Sequence, residues 1–262
     1  MNLIHALLLG LLQGATEFLP VSSSGHLAIA QYFIKGFEQP GVLFDVVLHC
    51  GTLCAVLIYF WKDVCSLLTA PWASGNDGVV RRRLLWLIIA GSVPTAIIGL
   101  TFKDALTSVF HNIPLVCAML LVTGTILFAA ERWRRGARSQ EQLTLADALI
   151  TGLVQGFAIL PGISRSGSTI AALLFRGVDG AVAARFSFLL SMPAVAGATL
   201  ISLKDLDGLA AGQLPLYLAG GGMAFVSGLL SIHLLMAVVR KRRLAAFALY
   251  CWGAGAVFFM LS

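Results

Sequence analysis

The sequence predicts an all-α polytopic membrane protein, with six transmembrane helices plus two re-entrant helical hairpins in an inverted-topology internal repeat. Three observations carry this prediction: a composition too apolar for water, two apolar stretches interrupted by Pro, Gly and Ser, and a one-sided distribution of Lys and Arg. The chain is 58% hydrophobic and only 11% charged, with a mean hydropathy of +0.90. A soluble domain carries about 25% charged residues, so most of this surface is built for lipid. Lipid leaves an open sheet edge without hydrogen-bond partners, which leaves helices as the spanning element. Residues 1–262 read as a single membrane domain.

A spanning helix needs about 20 mainly apolar residues. Six stretches meet that length, at roughly 42–61, 84–102, 113–130, 183–203, 214–239 and 244–261, each flanked by charges, Gly or Pro. The net charge of +6 sits in short loops between apolar spans, which is where the positive-inside rule puts basic residues; a nucleic-acid partner is not expected. The five cysteines (Cys50, Cys54, Cys65, Cys117 and Cys251) form no CxxC pair and read as small buried hydrophobes. No Lys or Arg precedes the first apolar run and Glu17 follows closely, so the N-terminus is not read as a signal peptide.

Two further apolar stretches are broken. Leu3 to Ile34 is interrupted by QGATEFLPVSSSGH, and Ala146 to Phe175 by QGFAILPGISRSGS. Pro removes a helix hydrogen bond and Ser favours caps over helix interiors, so each reads as helix, break, helix. The two stretches are also copies. At an offset of 142, ten of the 26 positions from 5 to 30 are identical without a gap, including Gln13-Gly14 with Gln155-Gly156 and Ser22, Ser24, Gly25 with Ser164, Ser166, Gly167. The repeats are placed at 1–143 and 144–262, each a broken segment followed by three spans.

Basic residues orient them. If each broken segment enters and leaves on one side, 14 of the 18 Lys and Arg fall in the 62–83, 131–147, 176–185 and 240–243 connections, leaving Lys35, Lys103 and Lys204 opposite and Arg165 inside a break. Full crossings would place Arg240–Arg243 outside, against the rule. Three spans per repeat is odd, so the halves are inverted, and their breaks can meet near mid-membrane, as in many transporters.

The copies differ where chemistry would reside. Glu17, Ser23 and His26 stand opposite Ile159, Arg165 and Ser168. Serine and glycine in membrane helices also serve packing, but ionisable groups at membrane depth are costly and mark function. Glu17 and His26 are too far apart to touch on one helix, and the Pro20–Ser24 turn is expected to fold one toward the other. SSSGH and SRSGS offer hydroxyls and the free N–H groups of a following helix, a ready phosphate site. Arg165 adds a planar cation suited to phosphate oxygens. Asp45 and His49 share a face of the first span, opposite Ser187 and Ser191 in the repeat; they are read as hydrogen-bonded support rather than a proton relay. Gly220, Gly221 and Gly222 are read as helix-packing positions. The residues alone describe a membrane protein handling an anionic group, with enzyme and transporter both open.

EFLPVSSSGH at 17–26 and PGISRSGST at 161–169 resemble the two signature motifs of the undecaprenyl-diphosphate phosphatase family, the bacitracin resistance family. GVDGAVAARFSFLLSMPAVAGATL at 177–200 is similar to the segment after the second motif, and the resemblance covers essentially the whole chain. It implies hydrolysis of undecaprenyl diphosphate to undecaprenyl phosphate, recycling the lipid carrier of peptidoglycan synthesis and conferring bacitracin resistance. It further implies a divalent cation (Mg or Ca), a bacterial inner-membrane location and a site facing the periplasm. The family's essential Glu, Ser, His and Arg fall on Glu17, Ser23, His26 and Arg165. Its position with Glu or Gln is Gln13, which with Glu17 forms the expected metal pair; Gln is a weaker ligand and no base. Ser23 is the favoured nucleophile with His26 or Glu17 as base, while water or His26 itself stay open as nucleophiles. Ser22, Ser24, Gly25, Ser164, Ser166, Gly167 and Thr169 are the expected substrate-binding set. The expected partners are undecaprenyl diphosphate and membrane lipid, with a homodimer as an allowed assembly. The competing class is an isoprenoid-phosphate flippase or transporter, which needs no base beside a hydroxyl.

Overall fold

In a computed structural model the described residues are 1–34, 43–102, 109, 112–133, 136–202 and 213–262. Lys35, Lys103, Arg134, Arg135 and Lys204, used above to orient the chain, lie outside them, as do residues 42 and 203 at the ends of two expected spans. The regular elements among the described residues are all helices, with one isolated bridge between Arg138 and Val178.

The first broken stretch forms α1 (Leu3–Phe18) and α2 (Ser23–Phe33). Asn2 caps α1 by accepting from the His5 N–H at 2.8 Å. Pro20 drives Leu19 into extended backbone, which ends the helix. Then come α3 (Leu43–Tyr59), α4 (Trp61–Leu68) bent from it by 80°, α5 (Gly75–Thr101) and α6 (Ile113–Arg132). The second broken stretch forms α7 (Leu145–Phe157) and α8 (Arg165–Phe175). It is followed by α9 (Gly180–Ser202), α10 (Leu214–Arg240) and α11 (Ala245–Leu261). Thr144 and Asp147 cap α7 reciprocally, and Arg138 and Arg176 both donate to the buried Asp147 carboxylate.

Four helices, α5, α6, α9 and α10, are long and apolar enough to cross a membrane, and α3 with α4 is a fifth if the bent pair is one span. Large apolar side chains such as Ile4, Leu100, Leu218, Leu230 and Met260 point outward. These features fit a multi-pass membrane protein. The 17 residues of α11 fall just short of that length. The 13 residues of α7 rise only about 20 Å, against a hydrocarbon core of about 30 Å.

Small residues decide which helices meet. α1 lies along α10, and α7 lies along α5. A Cβ on Gly10 would stand 2.2 Å from the Gly220 carbonyl oxygen, and one on Gly152 would stand 1.9 Å from that of Gly91. Backbones approach this closely only where neither carries a side chain at the crossing. A Cβ on Gly51 would likewise stand 2.2 Å from the Gly221 carbonyl oxygen, whereas Gly222 faces open space, so two of the three consecutive glycines serve packing. The interior is closed by an aromatic cluster in which Phe18 meets Phe188 edge-on at 5.5 Å and Phe188 meets Phe60 at 5.8 Å.

Candidate active site

The two breaks are in contact. A Cβ on Gly25 would lie 3.0 Å from the Gly162 Cα, and one on Gly167 would lie 3.1 Å from the Pro20 Cβ. Ser166 Oγ donates to the Leu19 carbonyl at 3.2 Å, tying one break to the other. Each following helix is capped by the serine before it: Ser22 Oγ accepts from the Gly25 N–H at 3.3 Å, and Ser164 Oγ from the Gly167 N–H at 3.1 Å. Second hydroxyls stand beside the caps, with Ser24 Oγ 3.4 Å from Ser22 Oγ and Ser166 Oγ 3.3 Å from Ser164 Oγ. Two helix N-termini with free N–H groups and paired hydroxyls therefore meet at one place, a setting that favours anions. Thr123 braces the second break, donating to the Gly162 carbonyl at 2.8 Å and accepting from the Ser164 N–H at 3.0 Å.

Glu17 is the hub. Its Oε2 accepts from Ser23 Oγ at 2.6 Å and from Gln13 Nε2 at 2.9 Å, and its Oε1 accepts from Arg165 Nη2 at 2.5 Å. The carboxylate is nearly enclosed, at 5% exposure, and Arg165 is 20% exposed. An enclosed carboxylate is tolerated because a guanidinium and two neutral donors replace the lost water. A narrow cleft leads to it, lined by Glu17, Thr52, Leu53, Arg165, Ser191 and Val195 among others.

Of the residues singled out in the sequence, Gln13, Glu17, Ser23 and Arg165 come together. His26 turns the other way: its Nδ1 lies 2.8 Å from the Ser22 carbonyl and its Nε2 2.8 Å from Tyr250 Oη. The Pro20–Ser24 turn thus brings Ser23, not His26, onto Glu17. Thr169 donates to the Arg165 carbonyl at 2.8 Å and pairs with Ser187 Oγ at 2.6 Å, beneath the hairpin rather than at its tip.

In the sequence, two side chains at the site carried little signal. His49, assigned there to core support, places Nδ1 2.9 Å from Gln13 Nε2 and 3.5 Å from Glu17 Oε2. Its signal was the repeat: its counterpart Ser191 lines the same cleft. Asp45 accepts from Gln31 Nε2 at 3.0 Å. Tyr250 carried no local signal, since it lies 224 positions from His26.

Among the described residues no three His, Cys, Asp or Glu side chains cluster as a metal cage. One acceptor does stand idle: Gln13 Oε1 is buried and has no hydrogen-bond partner. One carboxylate and one spare amide oxygen suit a hard cation that takes most of its ligands from phosphate and water.

Fold and site together define an all-helical membrane protein that presents a hydroxyl and a guanidinium at facing helix N-termini, joined by a carboxylate from the end of α1. The family model described as "Bacitracin resistance protein BacA" matches residues 6–257, and the chain belongs to that family. It is 60% identical over 262 residues to an undecaprenyl-diphosphatase of Syntrophotalea carbinolica, covering all of both chains. It is 43% identical over 271 residues to an undecaprenyl-diphosphatase of Desulforapulum autotrophicum (98% of this chain, 97% of the other). One from Methanosphaera stadtmanae is 42% identical over 275 residues (100% and 99%).

Proposed function

We propose that the chain is a membrane hydrolase that removes the terminal phosphate of undecaprenyl diphosphate, regenerating the lipid carrier of peptidoglycan synthesis and conferring bacitracin resistance. One observation carries the chemistry: the Ser23 hydroxyl donates to the enclosed Glu17 carboxylate while Arg165 holds the other carboxylate oxygen. A serine hydroxyl needs an adjacent base to attack, and Glu17 is in place. In this reading the terminal phosphate lies across the N-termini of α2 and α8, where N–H groups, Ser22, Ser24, Ser164 and Ser166 meet its oxygens. Ser23 Oγ attacks phosphorus, its proton passes to Glu17, and undecaprenyl phosphate leaves. Water then cleaves the phosphoserine and releases inorganic phosphate. Arg165 stabilises the charge gathering on the phosphoryl oxygens, the main demand of phosphoryl transfer. The prenyl tail stays between helices, in lipid.

A divalent cation belongs to this reading, with Glu17 and the idle Gln13 Oε1 as its protein ligands; when bound it would neutralise diphosphate charge. The proposed topology is six crossings and two re-entrant hairpins in inverted repeats, 1–143 and 144–262, with the site open to the periplasm. The exchange of partners supports it: the first helix of each hairpin packs on the second long span of the other half, α1 on α10 and α7 on α5. So does the shortness of α7. All named groups come from one chain, so a homodimer is not required; light scattering in detergent decides the assembly.

The test is phosphate release from undecaprenyl diphosphate by purified protein in detergent, with and without a chelator. Release that falls on chelation and returns with Mg or Ca is the expected result. Absence of release, alongside movement of labelled lipid across liposomes, would overturn the hydrolase in favour of a flippase.

A further inference from the structure

Ser22 has a backbone conformation that serine rarely adopts, with φ 69° and ψ 93°. Its counterpart in the second hairpin, Ser164, is relaxed at φ −76° and ψ 117°. Positive φ in a residue with a side chain is strained and persists only where surrounding structure holds it. Here the strained residue immediately precedes Ser23, so the turn sets the direction of the hydroxyl on Glu17.

What holds the turn is visible. The Ser22 carbonyl accepts twice from His26, from its backbone N–H at 3.1 Å and from ring Nδ1 at 2.8 Å. A carbonyl oxygen cannot donate, so Nδ1 carries the proton. In the neutral ring Nε2 is then bare, and it accepts from the Tyr250 hydroxyl at 2.8 Å. The two rings lie nearly parallel, 11° apart with centroids at 5.6 Å. α11 touches the same turn a second time: Cys251 Sγ lies 3.8 Å from the Pro20 carbonyl oxygen, and Val21 packs with Cys251 and Ala248. The last helix of the chain thus braces the first break.

Resting on the reading of Ser23 as the reacting hydroxyl, we propose that Tyr250 is a positioning residue. Through His26 it clamps the strained Ser22 carbonyl and aims Ser23 at Glu17, and His26 serves as the link in this brace rather than as the proton acceptor. The imidazole has no nitrogen left for Ser23, because one is spent on a carbonyl and the other on a phenol.

Asparagine separates the two roles. Its Nδ2 occupies the place of the imidazole Nδ1 and can donate to the Ser22 carbonyl, but it cannot take up a proton. His26→Asn should keep kcat within about tenfold of wild type, while His26→Ala should lose about 10²-fold, as expected when a strained turn relaxes. Tyr250→Phe should lower kcat about tenfold with KM changed less than twofold, and should have no further effect in the His26→Asn background. A thermal melt establishes that each variant is folded. With ¹⁵N-histidine labelling, assigned by the signal missing from His26→Asn, the His26 ring should show the Nδ1–H tautomer in wild type and a mixture in Tyr250→Phe. His26→Asn as inactive as His26→Ala, or an Nε2–H tautomer in wild type, would overturn the brace and return His26 to general base catalysis, worth about 10²–10⁴-fold. The tautomer reading does not need turnover. If wild type released no phosphate, the proposed hydrolase would fall while the spectrum still decided the clamp.

Discussion

Gln13, Arg165 and Ser23 donate to Glu17, and the last two have separate parts in the proposed reaction. Arg165 brings charge and shape. Lysine would keep the charge but lose the planar fork that can hold carboxylate and phosphate together. Arg165→Lys should therefore lose about 10²-fold or more in kcat, the scale for removing a transition-state donor; near-normal phosphate release would reduce Arg165 to a neutralising charge. Ser23 brings the nucleophile, whereas Ser24 stands beside a helix cap. Ser23→Ala should abolish turnover and Ser24→Ala should stay within about tenfold of wild type, the scale of one hydrogen bond. Equal hydrolysis by the two variants would remove Ser23 from the mechanism. Glu17→Gln keeps shape but cannot accept the proton, so turnover should fall about 10²–10⁴-fold. Lipid binding should persist, because Arg165 and the helix N-termini remain. Filter binding and phosphate release, measured on one preparation, separate the two effects.

At the scale of elements, the expected helices formed where apolar runs placed them, and the exceptions have physical causes. α5 begins at Gly75, nine residues before the apolar run expected from 84. Arg81–Arg83 read as a loop, but they lie within α5: Arg82 donates to the Ala73 carbonyl just before the helix, and Arg83 donates across to the Leu143 carbonyl at 2.7 Å. Arginine is a good helix former, so charge ends the membrane span without ending the helix. The helix pairs make a separate forecast. Gly152→Ala would drive a Cβ into the Gly91 carbonyl and should destabilise by about 1–3 kcal/mol through overpacking. Gly197 sits inside α9 with nothing within 4 Å of its would-be Cβ, so Gly197→Ala should be neutral or stabilise by up to about 1 kcal/mol. Detergent melts of the two variants check this; equal shifts would mean that α7 and α5 are not held by their glycine contact.

For the whole molecule, the decisive quantity is the sidedness of charge. Reporter fusions near residues 72, 139 and 242 should all be cytoplasmic and both termini periplasmic, since the proposed topology puts 14 basic residues on one face and three on the other. A periplasmic reporter at 242 would make the broken segments full crossings. By itself the sequence determined the all-helical membrane class, the two breaks and their repetition, and the divergent set Glu17, Ser23, His26 and Arg165. These follow from local rules: run length, Pro and Gly in helices, and the cost of charge in lipid. Only the tertiary structure decided which partners those residues take. Ser23 and Glu17 are separated by a turn whose φ at Ser22 no local rule forecasts, and Arg165 comes 148 positions later. His26 was diverted to Tyr250 and His49 was brought beside Gln13 by the way helices close on glycine contacts. Long-range packing sets such pairings because interiors are close-packed, so a side chain's direction depends on the neighbours that fill the space around it.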